Sequence, residues 1–133
     1  MLFLGTSGFS YDDWVGPFYP LETPKKDWLS LYALEFDTCE INSTYYALPG
    51  PKTFLSMLRK VRPGFLFVIK AHQKITHERG DNAEIYRGFT GILSLLNEAN
   101  ALGCALEQTF VFANNHWKGQ AVNTVRQIKR LLE

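Results

Sequence analysis

Glu40, Asn42 and Lys70 are the residues best placed for chemistry, because each follows or ends an apolar run. Glu40 and Asn42 are two residues apart, and Lys70 stands directly after a later run. Alternation along a strand puts Glu40 and Asn42 on one face, and the carboxyl ends of adjacent parallel strands would bring Lys70 to the same concavity. The two charges form either a structural ion pair or a functional pair, in which Lys70 holds an anionic group and Glu40 acts as acid, base or ligand.

His77 and the turn Gly5–Gly8 leave further alternatives open. His77 lies in a polar loop and is either a general acid or base or a solvated loop residue. The turn contains Thr6 and Ser7 and either cradles a phosphate through its backbone N–H groups or is a plain tight turn after a strand. It matches neither the Walker pattern nor the dinucleotide-binding pattern.

The predicted ligand-binding residues include aromatic and amide side chains near the same strand ends. The aromatic segment 9–19 either covers the core or stacks on a sugar or a base. The full set of candidates is Thr6, Ser7, Gly8, Tyr11, Trp14, Asn42, Asn114 and Asn115, beside the catalytic candidates Glu40, Lys70 and His77. The three histidines have no i, i+3 or i+4 spacing, so we predict no metal site.

The elements that must position these residues are apolar runs alternating with stretches of helical period. The runs 2–4, 36–41, 65–69 and 109–113 predict strands, and Cys104–Leu106 is too short to assign. Helices are predicted after Thr23-Pro24, from Pro51, from about Asp81 and from about Gln120. This alternation is typical of an α/β domain with a parallel sheet.

Composition excludes several classes of protein. The chain has 133 residues and a formal net charge of +1, which gives no electrostatic signature of nucleic-acid binding. No apolar run approaches the roughly 20 residues of a membrane span. Two cysteines without metal or redox spacing are typical of a reducing compartment. We therefore expect a cytoplasmic globular domain that does not bind a membrane and that gives no indication of nucleic-acid binding.

Four stretches of the chain together resemble one known family. They are GTSGFSYDDW (5–14), FDTCEINSTYYALP (36–49), PGFLFVIKAHQKITH (63–77) and FVFANNHWKGQAVNT (110–124), in the order found in the YecE-like family, domain of unknown function 72. The resemblance implies a TIM-type (β/α)₈ barrel, but no established reaction or cofactor. The cofactor therefore stays unknown.

The chain departs from that family in its length. A complete barrel needs about 250 residues, and this sequence has 133. Residues 1–106 resemble the N-terminal units and residues 107–133 resemble the last β/α unit. The resemblance thus implies a single domain, 1–133, that forms a partial or truncated barrel of about four strands in the order 3-2-1-4.

Two functions follow from this reasoning. The first is binding or hydrolysis of a phosphorylated or otherwise anionic ligand at the carboxyl ends of the strands. The alternative is a non-catalytic remnant or interaction module with an incomplete site. An open sheet would expose an apolar face, so we also expect a homo-oligomer. If a helix instead folds back over that face, the chain would be a monomer.

Overall fold

The protein is a mixed α/β domain with a parallel sheet, seen here in a computed structural model. The structure describes residues 2–76, 81–103 and 109–113, together with positions 122, 123 and 126. The strands are β1 (Leu2–Ser7), β2 (Thr38–Ile41), β3 (Leu66–Ile69) and β4 (Thr109–Ala113); the helices are α1 (Trp28–Glu35), α2 (Pro51–Leu58), α3 (Gln73–Thr76) and α4 (Ala83–Glu98). Short 3₁₀ turns cover Asp12–Trp14, Lys25–Asp27 and Ser43–Tyr45.

The sheet has the order β3-β2-β1-β4, and all three pairings are parallel. The register places Ser7 beside Glu40 and Glu40 beside Val68. Because paired residues of parallel strands point to the same side, these three side chains share one face of the sheet. The carboxyl ends of β1, β2 and β3 therefore meet at one edge.

The core lies between the other face of the sheet and the helices. That face contributes buried side chains such as Leu4, Cys39 and Phe67, which form one cluster with Tyr32 of α1 and Leu96 of α4. Pro51 opens α2, where its fixed φ suits the first helical position. Since a single cluster unites these elements, the helix layer holds the strand ends in fixed relative positions.

Directly after α4 the chain first forms a bridge with β3, before β4 pairs with β1. Leu102 forms a parallel bridge with Phe67, and the Gly103 N–H donates to the Phe67 carbonyl at 2.9 Å. Helix α4 packs against α2 and α3, and its Ile92 joins the same core cluster as α1. The helix therefore lies in the common helix layer and does not fold back over the opposite face.

Most predicted elements are present, with shifted limits. Strand β1 continues to Ser7 instead of ending near residue 4, because Thr6 and Ser7 are polar but buried. The Thr23-Pro24 signal precedes a 3₁₀ turn, and α1 starts only at Trp28. The helix predicted from Gln120 falls almost wholly outside the described residues. No helix in the described part of the chain is long and apolar enough to cross a bilayer.

Candidate functional site

A cavity of about 430 Å³ opens at the carboxyl ends of β1 and β2. The loop after β1, the end of β2 and the first turns of α2 contribute its walls, as expected for a ligand site in a parallel α/β fold. The side chains and backbone that line it belong to Gly8, Phe9, Ser10, Tyr11, Glu40, Ile41, Asn42, Ser43, Tyr46, Pro49, Thr53, Phe54 and Met57.

Glu40 lines this cavity and is partly exposed. Its carbonyl accepts the Gly8 N–H at 2.8 Å, which joins the loop after β1 to the end of β2. No lysine or arginine of the described residues forms an ion pair with its carboxylate. Glu40 therefore brings a negative charge to the cavity without a neutralising partner in the described part of the chain.

Lys70 does not reach the cavity. Its side chain is exposed, and its Nζ lies 5.2 Å from the centre of the Tyr45 ring. The register explains this separation, because Glu40 lies beside Val68 and Lys70 follows two residues later, beyond the end of β3. Among the described residues, Glu40 and Lys70 form no ion pair with each other.

Asn42 joins the two strand ends through its side chain. Its Nδ2 donates to the Ser7 hydroxyl, whereas its Oδ1 is buried and has no hydrogen-bond partner among the described residues. Turning the amide by 180° would only transfer the deficit to the nitrogen. A buried polar atom without a partner costs about 1–3 kcal/mol. Because Asn42 itself lines the cavity, a ligand that moves its amide, or a local rearrangement, would satisfy this buried atom.

Thr6, a predicted ligand-binding residue, has a structural role. It is fully buried, and its Oγ1 lies 2.6 Å from the Gly8 carbonyl and 2.9 Å from the Tyr32 hydroxyl. Its N–H donates to the same Tyr32 oxygen, and the Gly8 N–H is bound to Glu40. Two of the backbone donors that a phosphate cradle would need are therefore already used.

Gly8 shapes the cavity through its backbone. Its φ is +85°, a conformation that favours glycine, and a Cβ there would lie 2.9 Å from Cζ of Tyr11. The Tyr11 hydroxyl donates to the Ser7 carbonyl at 2.6 Å. Burial raises the pKa of Tyr11, and the nearby Cys39 and Glu40 raise it further. Tyr11 is thus a neutral wall of the cavity, anchored to the end of β1.

Trp14 belongs to the core rather than to the cavity. It has no exposed surface, and its ring lies 5.0 Å from that of Tyr11 and 5.7 Å from that of Phe18. Phe9 and Tyr11 do line the cavity. The aromatic segment therefore fits both alternatives, since its first rings reach the cavity and the later ones pack.

Three predicted site residues lie outside the described residues: His77, Asn114 and Asn115. The sequence predicts no metal site anywhere in the chain, whereas the structure describes only part of it. Within the described ranges, no group of three or more His, Cys, Asp or Glu side chains is arranged to hold an ion.

Sequence reasoning missed the wall that α2 supplies. Thr53, Phe54 and Met57 line the cavity, but the helical pattern indicates only that Phe54 belongs to a core-facing stripe. The exposed Tyr46 also lines the cavity; it lies in the stretch 36–49 that carries the family resemblance, although it is not one of the predicted ligand-binding residues. The one available signal is the segment Pro49-Gly50-Pro51, which starts α2 after the 3₁₀ turn that follows β2.

Comparisons with known proteins agree with this architecture. A family model described as "Protein of unknown function DUF72" matches residues 3–109. The chain is similar to the UPF0759 protein YunF of Bacillus subtilis, with 25% identity over 114 residues. The aligned region covers 81% of this chain and 39% of YunF.

Solved structures of DUF72 family proteins are also similar. One from Thermotoga maritima has 33% identity and a TM-score of 0.66, over 96% of this chain and 52% of the other. One from Enterococcus faecalis has 19% identity and a TM-score of 0.60, over 96% of this chain and 56% of the other, and shows the fold alone. The chain thus spans about half the length, or less, of these relatives.

Proposed function

Because the chain belongs to the DUF72 family of proteins of unknown function, we propose that it binds a small organic molecule in the cavity beside Glu40 and Asn42. The cavity volume of about 430 Å³ lies within the range of small-molecule sites. The single observation that carries the proposal is that Asn42, whose buried Oδ1 atom has no hydrogen-bond partner among the described residues, lines an apolar cavity at the strand ends. A role in ligand binding would explain why the protein keeps an Asn42 amide whose missing hydrogen bond lowers its stability.

The proposal has a structural part, which is that the sheet forms one side of a (β/α)₈ barrel. The parallel order β3-β2-β1-β4, with Leu102 beginning a further pairing outside β3, supports it. In such barrels, ligands bind where the βα loops meet. The cavity lies at that end, so the proposed site has the position that the fold favours.

An anionic ligand is a second candidate, and Lys70 is the observation in its favour. The Lys70 ammonium is exposed near the same sheet edge and has no carboxylate partner among the described residues. If the ligand is phosphorylated, Lys70 would bind its phosphate group, and Glu40 and His77 would be the catalytic residues that hydrolyse it. Loss of sugar-phosphate binding in Lys70→Ala would support it, and unchanged binding would contradict it.

A cavity-filling substitution tests the main proposal. Thr53 is an exposed residue of α2 that lines the cavity, so Thr53→Trp places an indole across it. Ser56→Trp is the matched control, because Ser56 is exposed on the same helix but does not line the cavity. We expect benzyl alcohol, followed by ligand-observed NMR, to bind the parent and the Ser56 variant but not the Thr53 variant. Equal binding of benzyl alcohol to the parent and to both variants would show that it binds outside this cavity.

The last part of the proposal concerns assembly of the chain into an oligomer. The alternative to a ligand-binding function is that the chain is a non-catalytic interaction module. Phe3, Leu66 and Val68 share the sheet face away from the helix layer, and each is partly exposed. Apolar residues in this position favour association. We propose a homo-oligomer, which light scattering after size exclusion tests. A mass of 15.2 kDa would identify a monomer.

A further inference from the structure

The lining of the cavity has an unbalanced charge. It includes Glu40, an acidic residue, and it includes no lysine, arginine or histidine from the described residues. Lys70, a basic residue that the sequence places near this edge, lies over Tyr45 instead. An anion entering the cavity would meet a like charge among apolar walls, where repulsion is strong because water is partly excluded.

The walls of the cavity are rich in aromatic rings. Phe9, Tyr11 and Tyr46 contribute rings to the lining, and Tyr46 is 72% exposed, whereas the Phe54 ring behind them is fully buried. The faces of aromatic rings carry partial negative charge and attract organic cations, an interaction worth about 0.5–2 kcal/mol for each ring. Rings and a carboxylate together are the combination that recognises an alkylammonium group.

The titration of Tyr11 is consistent with a negative potential in the cavity. Burial is the largest cause that raises the pKa of its phenol, followed by the neighbouring Cys39, and the carboxylates of Glu40 and Asp13 raise it further. Both carboxylates therefore act on the wall that Tyr11 forms. A positive charge placed there would interact favourably with both of them.

We infer that the cavity selects an organic cation, meaning a molecule with an apolar body and an ammonium or amidinium group that Glu40 pairs with. The inference rests on the proposed binding function and specifies the ligand class of the same site. The aromatic walls hold the apolar body, and Asn42 lines the same cavity as Glu40. No covalent step is involved.

Three molecules of nearly equal size separate charge from shape. Benzylamine is cationic near neutral pH, benzyl alcohol is neutral and benzoate is anionic. The full chain and its Glu40→Gln variant are titrated with each molecule at low ionic strength, and the dissociation constants are measured by NMR. Glu40→Gln keeps the shape of the side chain and removes its charge, and circular dichroism checks that the variant is folded.

We expect benzylamine to bind the parent about tenfold more tightly than benzyl alcohol, and benzoate to bind more weakly than either. In Glu40→Gln, the benzylamine constant should rise about tenfold, whereas the benzyl alcohol constant should not change. Benzoate binding as tightly as benzylamine, or benzylamine binding that ignores Glu40→Gln, would overturn the inference but leave the proposed function standing. Failure of all three molecules to bind would overturn both.

Discussion

The phenol oxygen of Tyr32 accepts the backbone N–H of Thr6 at 2.7 Å, inside the core. The same hydroxyl donates to the Thr38 carbonyl at 3.0 Å, so that one side chain of helix α1 is hydrogen-bonded to both β1 and β2. Burial raises the pKa of Tyr32 well above its ordinary value, which keeps the group a hydrogen-bond donor. This connection determines how the strand ends meet beneath the cavity.

Removing that hydroxyl should destabilise the protein. Tyr32→Phe leaves the Thr6 N–H and the Thr38 carbonyl without this partner inside the core, which costs about 1–3 kcal/mol. Urea unfolding followed by circular dichroism measures the loss. Tyr86→Phe is the control, since Tyr86 is half exposed, and it should change the free energy of unfolding by less than about 0.5 kcal/mol. Equal effects of the two substitutions would contradict the assigned role of Tyr32.

Much of the fold could be predicted from the sequence. The apolar runs predict a parallel α/β domain, and the Pro51 signal gives the start of α2 correctly. The predicted end of β1 is wrong, because the polar residues Thr6 and Ser7 belong to the strand. Thr6 and Ser7 are buried, and their polar atoms are satisfied inside the fold by Tyr32, Gly8 and Asn42. Such long-range partners leave no local pattern.

The candidate site was harder to predict. Glu40 and Asn42 line the cavity as their alternation and position suggest. Lys70 does not, because its place after β3 settles only its distance along the chain and not the direction of a long side chain. Trp14 and Thr6 have residue types suited to ligands, but their burial depends on contacts with distant elements.

Gly8 and Gly16 offer a matched pair of substitutions. Both have positive φ, +85° and +95°, but only at Gly8 would a Cβ clash, with the Tyr11 ring. Each change to alanine should cost about 1–2 kcal/mol from the backbone, and Gly8→Ala should cost about 1–3 kcal/mol more from overpacking. Chemical denaturation of both variants measures the difference. Equal losses would show that the contact between Gly8 and Tyr11 adds nothing.

Arg126 and Glu35 join the C-terminal part of the chain to α1. Arg126 Nη2 donates to Glu35 at 2.7 Å, and a second hydrogen bond runs from its Nε. Both side chains are about one-third exposed, so the pair should contribute about 0.5–1 kcal/mol. A double-mutant cycle of Arg126→Met and Glu35→Gln, repeated in high salt, should give a coupling energy that salt reduces. A coupling of zero at low salt would contradict this.

Stability should fall in alkali. Burial raises the pKa of Cys39, and likewise of Tyr19 and Tyr32, above the ordinary values of 9.0 for the thiol and 10.0 for the phenols. Above those values the unfolded chain releases protons that the folded chain keeps, so the free energy of unfolding decreases with rising pH. Each group contributes a slope of up to about 1.4 kcal/mol per pH unit.

Urea unfolding at about pH 8 and about pH 10.5 measures this alkaline loss. Cys39→Ala should show a shallower decrease between about pH 9 and pH 10, because the buried thiol is the first of these groups to titrate in the unfolded chain. A stability that does not change over this range would show that these groups have similar pKa values in the folded and unfolded chains.

The most direct test of the binding site is a map of backbone amide shifts in the ¹⁵N-labelled chain during titration with benzyl alcohol. We predict that the largest changes fall on Gly8, Tyr11, Asn42 and Ser43, which line the cavity, and on the side-chain amide of Asn42. Exposed apolar residues far from it, such as Leu21 and Leu34, should not shift. Shifts that centre on Leu21 and Leu34, or no shifts at millimolar ligand, would contradict a binding site beside Glu40 and Asn42.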